Sequence, residues 1–549
     1  MSYASLCTSF VTTAPVLFLP DFFLSATHQS RSITRYNNEE SLTDCINVLG
    51  DGDAPSTVSC FISPFIDNTG YRTIRNIEET GDVLTKRKEI RHVKDSSKRE
   101  LKLENENAEA FLNFPFFTDR ATCMHLKRPS TKVMFIMRGL SGSGKSTIVQ
   151  KIKSIYAKAV VCSADDYFYS KDGVYNHDHN LLGAAHADCQ SKAAQACQQN
   201  APIIVIDNTN VKRWEMKYYA DLGNVHGYVI VTVQPKTPWK MDPVQLAQRN
   251  KHGVPYDILK KKVQMFDDVV PVYYGWFLCE KKSNSLMSLA SKIFLECIIK
   301  LPEFKKCLLN AMNIKPEHIS DEMAEHLLST YHTKPVKKSP LLHCTSMYCG
   351  SGRAPGCLQY HRSNNIQSAC GQVFEMALSG LIITKRTMAA RVTLSSAAAP
   401  LFKNAAEEEW NERTSQANLS SRKNEKLRKI KSKKNGKLKK NMPDVPLLMA
   451  DDNLNTSPFL SFLTRKFPKL IVSGSLRNAH FTLKTSPGVE SKEVNTDILD
   501  ICQVESSSAI GIPEFVPVTG GQACYLGDGI CCVYFDVTPK VKTIFSGYY

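Results

Sequence analysis

Several features are missing from this sequence. Its 18 cysteines are spread along 549 residues, and no two form a C-x-x-C pair. That argues against zinc ribbons, zinc fingers and thioredoxin-type sites. Cysteines scattered in this way read as small buried apolar residues in a reducing compartment, which predicts a cytoplasmic protein. No uninterrupted apolar run reaches the roughly 18–20 residues of a membrane span. The longest apolar-leaning stretch, 10–24, is broken by Pro15, Pro20 and Asp21 and has no basic residue before it. It makes a poor signal peptide and stays an unassigned leader. Acidic residues fall short of basic ones, 53 against 69, for a net charge of +16. Residues 422–440 alone hold eleven Lys and Arg against one acid, Glu425. The remainder is only mildly basic.

The rest is globular in composition, with 42% hydrophobic and 22% charged residues. At roughly 100–200 residues per domain, the length calls for two or more domains. Residues 1–108 show no sustained periodicity and read as a low-order N-terminal extension. Within 109–300, short apolar runs at 133–137, 160–162, 201–206 and 227–233 alternate with helical stretches such as 146–158 and 184–198. That alternation predicts an α/β domain whose parallel sheet is covered on both faces. Residues 301–338, with one helical stretch at 317–328, read as a connector. From 339 to 549, short strands at 341–345, 389–395, 479–485 and 531–537 predict a second domain. A basic insert at about 397–464 interrupts it.

Residues 139–146 read G-L-S-G-S-G-K-S and match G-x-x-x-x-G-K-[ST] in full. A strand enters this loop and a helix leaves it. Gly139, Gly142 and Gly144 let backbone N–H groups turn inward on phosphates, with Ser141 and Ser143 between them. Lys145 is positioned to reach the β- and γ-phosphates, Ser146 to ligate Mg²⁺, and Thr147 follows in the first turn. Asp207 follows an apolar strand, where a second carboxylate near Mg²⁺ would sit. Asp165 and Asp166 follow another strand, and a carboxylate there can accept a proton from an acceptor hydroxyl.

Two His-x-Thr triplets, His343-Cys344-Thr345 and His480-Phe481-Thr482, are the only ones in the chain. Each lies in a strand-like run, where residues i and i+2 share a face. Each therefore presents an imidazole and a hydroxyl on one side. Two such strands side by side would form a cup of two His and two Thr suited to one phosphate.

With these motifs in view, two resemblances emerge. RGLSGSGKST, then Ser163-Ala164-Asp165-Asp166-Tyr167, Asp207-Asn208-Thr209-Asn210 and Leu246-Ala247-Gln248-Arg249-Asn250, resembles the polynucleotide 5′-kinase branch of P-loop proteins. That resemblance implies Asp165 as general base and Arg249 as a lid residue touching donor phosphates. The paired His-x-Thr elements resemble the two-histidine phosphoesterases, in particular the 2′,3′-cyclic-nucleotide 3′-phosphodiesterases. Over about 111–549 the match includes Phe114-Pro115-Phe116, Tyr274-Gly275-Trp276-Phe277-Leu278, Ala354-Pro355-Gly356, Ala390-Arg391-Val392 and Ile544-Phe545-Ser546-Gly547-Tyr548-Tyr549. It implies an α/β P-loop kinase-like parallel-sheet domain followed by an α+β two-histidine phosphoesterase domain.

The expected activity is hydrolysis of nucleoside or RNA-terminal 2′,3′-cyclic phosphates to 2′-phosphates. His343, Thr345, His480 and Thr482 would carry it without a cofactor, and the P-loop domain would bind Mg²⁺ with ATP or GTP. Which histidine is base and which is acid stays open at this level. Two alternatives remain: a bifunctional RNA-end-healing enzyme with 5′-hydroxyl polynucleotide kinase activity, or a non-catalytic RNA-binding or cytoskeletal scaffold. The lysine run would gather RNA without reading its sequence. Vertebrate members of the resembled family end in a prenylated C-a-a-X box. No cysteine lies near Tyr549, so membrane association by prenylation is not expected.

Overall fold

A computed structural model describes residues 111–312, 340–403, 457–467, 478–507 and 509–549. The expectations for 1–108, for a helix at 317–328 and for the lysine run at 422–440 lie outside the described residues.

The first sheet is parallel. Its strands are β1 (Val133–Met137), β2 (Ala159–Cys162), β3 (Ile203–Ile206) and β4 (Val229–Val233), in the order β2-β3-β1-β4. Every residue of β1 and β3 is buried, which is why these strands read as unbroken apolar runs. Alternate side chains feed two different cores. Val133, Phe135 and Met137 join Val205 and Val231 on one face. Met134 and Ile136 join Ile204 and Ile230 on the other.

The loop after β1 turns into α1 (Lys145–Ile155) through Gly144, whose φ of 102° only glycine adopts without strain. Further helices of this domain include α2 (Leu182–Gln198), α3 (Arg213–Val225), α4 (Pro243–Arg249) and α5 (Tyr256–Gln264). Asp242 caps α4 by accepting from the Val244 and Gln245 amides.

The second sheet is antiparallel. Among the described residues it has nine strands: β5 (Tyr273–Phe277), β6 (His343–Tyr348), β7 (Val373–Ile383), β8 (Thr387–Thr393), β9 (His480–Thr485), β10 (Phe515–Val518), β11 (Gly521–Gly527), β12 (Ile530–Phe535) and β13 (Lys540–Tyr548). The order is β10-β11-β12-β7-β13-β5-β6-β9-β8, and β7 also pairs with β8. The 11-residue β7 is long enough to hold both β12 and β13 along one edge and β8 along the other. Strands β7, β13, β5, β6, β9 and β8 therefore close into a ring. Helices α6 (Glu280–Lys300) and α7 (Pro302–Ala311) pack Leu286, Ile293, Phe294 and Phe304 into its core. Helices α8 (Pro458–Lys466) and α9 (Glu493–Ser506) cover a second apolar cluster around Ile382 and Tyr534.

The segment 109–300 thus divides between the two sheets. Strands up to Val233 belong to the parallel sheet, whereas β5 is an inner strand of the antiparallel one and α6 packs in its core. Apolar runs alone do not reveal which sheet a strand joins. The first helix of the expected connector, α7, likewise packs against the second core.

Candidate active site

The two His-x-Thr strands are neighbours. Strand β6 pairs antiparallel with β9 through Cys344 and Phe481. Both residues are fully buried in the core behind the sheet. Continuing that register one residue each way sets His343 across from Thr482 and Thr345 across from His480. Directly opposed residues of an antiparallel pair have Cβ atoms about 4.5–5.5 Å apart, and diagonal ones about 7–8 Å. All four side chains share the face away from Cys344 and Phe481. The structure therefore brings the four residues into one cup, each imidazole facing a hydroxyl.

The two histidines differ in surroundings. His480 is buried, and its Nδ1 donates to the Asn478 carbonyl at 2.7 Å. A carbonyl only accepts, so Nδ1 carries the proton and Nε2 is left for chemistry. Burial pushes the His480 pKa below its ordinary value, against the Asn478 hydrogen bond. His343 is half-buried and stacks on the Tyr273 ring, with centroids 4.5 Å apart and planes 17° apart. The Tyr273 hydroxyl lies 3.5 Å from its Nδ1. Tyr273 in turn stacks on Tyr548 at 5.0 Å.

Neighbouring strands shape the rim. Phe277 lies opposite His343, and Gly275 opposite Thr345. On the other side Arg391 lies opposite His480. Burial opposes its charge, but the Glu505 carboxylate outweighs this and holds the guanidinium protonated through bonds of 2.5 and 2.9 Å. Tyr348, at the end of β6 opposite Tyr273, is exposed.

The P-loop assembles beside the first sheet. Gly142 and Gly144 both have positive φ. The Ser143 hydroxyl is enclosed without a hydrogen-bond partner. The Lys145 ammonium donates to the Leu140 carbonyl at 3.3 Å. Burial lowers its pKa, while Asp207 and Asp165 oppose that shift. Burial also raises the Asp207 carboxyl above its ordinary value, against the pull of Lys145. Lys145, Asp165 and Asp207 thus share one field. Ser146 and Thr147 stand exposed in the first turn of α1, and Ser141 is half-buried in the loop.

The end of α4 leans on this loop, for a Cβ on Gly142 would meet the Leu246 carbonyl at 2.6 Å. Arg249 is exposed at that end, its guanidinium 4.1 Å above the Trp239 ring. The Trp239 indole N–H donates to the Gly142 carbonyl at 3.2 Å. His252 Nε2 lies 3.7 Å from Asp165. Asp166 is held above its ordinary pKa by burial.

Sequence reasoning missed Tyr273, Asn478, Trp239 and His252. Trp239 and His252 flank the lid element closely enough to have been found. Tyr273 reaches His343 only through a sheet pairing across 70 residues, and Asn478 acts through its main chain.

Fold and cup together define a P-loop kinase-like domain followed by a two-histidine phosphoesterase domain. Residues 270–423 match the family described as 2′,3′-cyclic nucleotide 3′-phosphodiesterase, and residues 134–270 match one described as an AAA domain. Over residues 270–423 the chain is thus similar to the 2′,3′-cyclic nucleotide 3′-phosphodiesterase family. It is 29% identical over 443 residues to a 2′,3′-cyclic-nucleotide 3′-phosphodiesterase of Pongo abelii, covering 80% of this chain and 87% of the relative. Identity to the protein of that name from Rattus norvegicus is 32% over 294 residues, 52% of this chain and 64% of the relative. A 140-residue stretch is 39% identical to NEDD4-binding protein 2 of Homo sapiens, covering 26% of this chain and 8% of that protein.

Proposed function

We propose that the cup hydrolyses nucleoside or RNA-terminal 2′,3′-cyclic phosphates to 2′-phosphates. The observation that carries this is the β6–β9 register, which sets each imidazole across from a hydroxyl. His480 enters neutral, because burial disfavours its cation and Asn478 holds the Nδ1 proton. Its Nε2 takes a proton from water as the water oxygen attacks phosphorus. The P–O3′ bond breaks in line, and protonated His343 gives its proton to the leaving 3′-oxygen. The Tyr273 ring beneath His343 favours that cation. Thr345 and Thr482 donate to the non-bridging oxygens as negative charge grows there. Solvent then returns a proton from His480 to His343. Four side chains handle every proton and charge, so we assign the hydrolase no cofactor. Product analysis with 2′,3′-cyclic AMP tests the reading, and a 3′-phosphate product would overturn it.

The P-loop half fits ATP or GTP with Mg²⁺. Its glycines leave the backbone free to face phosphates, and the enclosed Ser143 hydroxyl has no protein partner. Ser146 and Asp207 would hold the metal, which supplies charge neutralisation when bound. The grouping of Lys145, Asp165 and Asp207 favours a second activity, phosphorylation of 5′-hydroxyl RNA ends with Asp165 as base. Transfer of labelled γ-phosphate from ATP to a 5′-hydroxyl oligonucleotide, absent in Asp165→Asn, tests it. The cysteine usage supports a cytoplasmic location. Among the described residues no helix is long and apolar enough to cross a membrane.

A further inference from the structure

Helix α3 carries a feature that neither site explains. Trp214 is 74% exposed and Tyr218 40% exposed, one turn apart on the same face. Large aromatics left this open in a row mark a binding surface. The helix also has a defined place relative to the cup. In its first turn, the Arg213 guanidinium donates to the Ser351 hydroxyl at 2.9 Å and to the Val270 carbonyl at 2.8 Å. Ser351 follows Tyr348 at the end of β6. Two turns on, the Asp221 carboxylate is near enough to help burial raise the Tyr548 hydroxyl. Tyr348, Tyr273 and Tyr548 form one row across β6, β5 and β13. The helix therefore spans that end of the cup.

Its exposed face points the right way. At about 100° per residue, Trp214 and Asp221 differ by only about 20° around the axis. Asp221, the residue of α3 whose charge acts on Tyr548, lies on the side that carries Trp214 and Tyr218. An aromatic path runs from His343 through Tyr273 to Tyr548, with centroid steps of 4.5 and 5.0 Å. It continues past Asp221 along the helix. From Asp221 to Trp214 is about 10 Å at 1.5 Å per residue, the rise of about three stacked nucleotides.

We infer that α3 is the far wall of a groove for single-stranded RNA, whose bases behind the cyclic phosphate stack on Tyr218 and Trp214. This rests on the phosphodiesterase reading of the cup. A 2′,3′-cyclic phosphate requires a 2′-hydroxyl, so a polymer bearing one is RNA. Stacking on aromatic faces tolerates any base sequence, which suits an enzyme that meets many RNA ends. Lys217, exposed on the same face, pairs its ammonium with the Asp221 carboxylate.

The test uses the full chain and two substrates, 2′,3′-cyclic AMP and an oligoadenylate hexamer ending in a 2′,3′-cyclic phosphate. Trp214→Ala and Tyr218→Ala should each raise the hexamer KM about tenfold, the usual cost of losing one stacked base. The hexamer kcat and both constants for cyclic AMP should stay unchanged. Trp214→Phe should restore most of the lost KM, because a ring remains. If the variants keep the wild-type ratio of kcat/KM between the two substrates, the groove is refuted and the patch serves something else. If both substrates suffer equally, the helix supports the fold and the groove is again refuted. Should the wild-type chain hydrolyse neither substrate, the phosphodiesterase reading falls and takes the groove with it.

Discussion

Gly275→Ala is the sharpest probe of the cup, because its effect follows from one distance. Gly275 lies opposite Thr345 on the strand beside β6. A Cβ at this position would sit 2.5 Å from the Cys344 carbonyl oxygen and 3.3 Å from the Thr345 Cα. Both neighbours are backbone, so no side chain can swing away. Ordinary contact begins at 3.4 Å, and the strands must separate by about 0.9 Å to restore it. Strand β6 carries His343 and Thr345, so the cup shifts by nearly the same amount. A displacement of about 1 Å at reacting groups costs on the order of a hundredfold in rate. The expected result is a kcat/KM on 2′,3′-cyclic AMP lower by about that factor. Overpacking should also remove about 1–3 kcal/mol of stability, read as a lower Tm. Gly183→Ala is the control. It lies in α2 with nothing within 4 Å of the added Cβ. It should leave activity unchanged and hold or raise stability by about 0.5–1 kcal/mol. A folded Gly275→Ala protein with wild-type kcat/KM would refute the argument that β5 sets the spacing of the cup.

The remaining expectations concern the two sites separately. His343→Ala and His480→Ala should each lower turnover of 2′,3′-cyclic AMP at least about a hundredfold, and wild-type rates in either would remove that histidine from the mechanism. Thr345→Ala and Thr482→Ala should each cost roughly 1.5–3 kcal/mol of transition-state binding, measured as kcat/KM. Because the His480 pKa is lowered in the fold, its base form should persist below the ordinary imidazole value of about 6.5, and the acid limb of kcat/KM should lie there. The same shift predicts a stability loss on acidification through about 6.5, since the unfolded chain then binds the proton more readily, and His480→Asn should remove that slope. Lys145→Ala should abolish ATP binding and spare the hydrolase, as should chelation of Mg²⁺. A hydrolase that dies in EDTA would contradict the metal-free step. Deleting 422–440 should leave cyclic AMP hydrolysis unchanged but weaken RNA binding and flatten its salt dependence; an unaltered salt slope would refute a role for this segment in RNA capture.

The P-loop was legible because its chemistry is local. Eight consecutive residues define it, and the strand before and the helix after stand in the sequence as an apolar run and a glycine stop. The cup was half legible. Strand alternation puts His343 with Thr345, and His480 with Thr482, but 135 residues separate the two elements, and nothing local fixes their register. That comes from Cys344 meeting Phe481 in the core, a pairing that only the closed ring enforces. The asymmetry of the histidines was not legible either. It depends on a main-chain carbonyl at Asn478 and on a tyrosine ring from a strand 70 residues before His343.

Strand β5 also decides how separable the two halves are. Apolar spacing suggested a boundary at 300, but a cut there leaves β5 behind and opens the ring between β13 and β6. His343 would lose both Phe277 across from it and Tyr273 beneath it. A cut at 270 keeps the ring, yet it bares the face that the first domain covers. Phe277 and Ile544 share one apolar cluster with Phe116 and Val231. The Ser546 hydroxyl donates to the Ile230 carbonyl at 2.5 Å, and Thr232 and Tyr549 pair their hydroxyls at 2.8 Å. The wall behind His343 is thus built by both halves. At roughly 25 cal/mol per Å² of apolar surface, uncovering two large side chains there costs several kcal/mol. That is comparable with the whole stability of many single domains. The phosphoesterase half therefore needs the P-loop half as a packing partner, whatever nucleotide the latter holds.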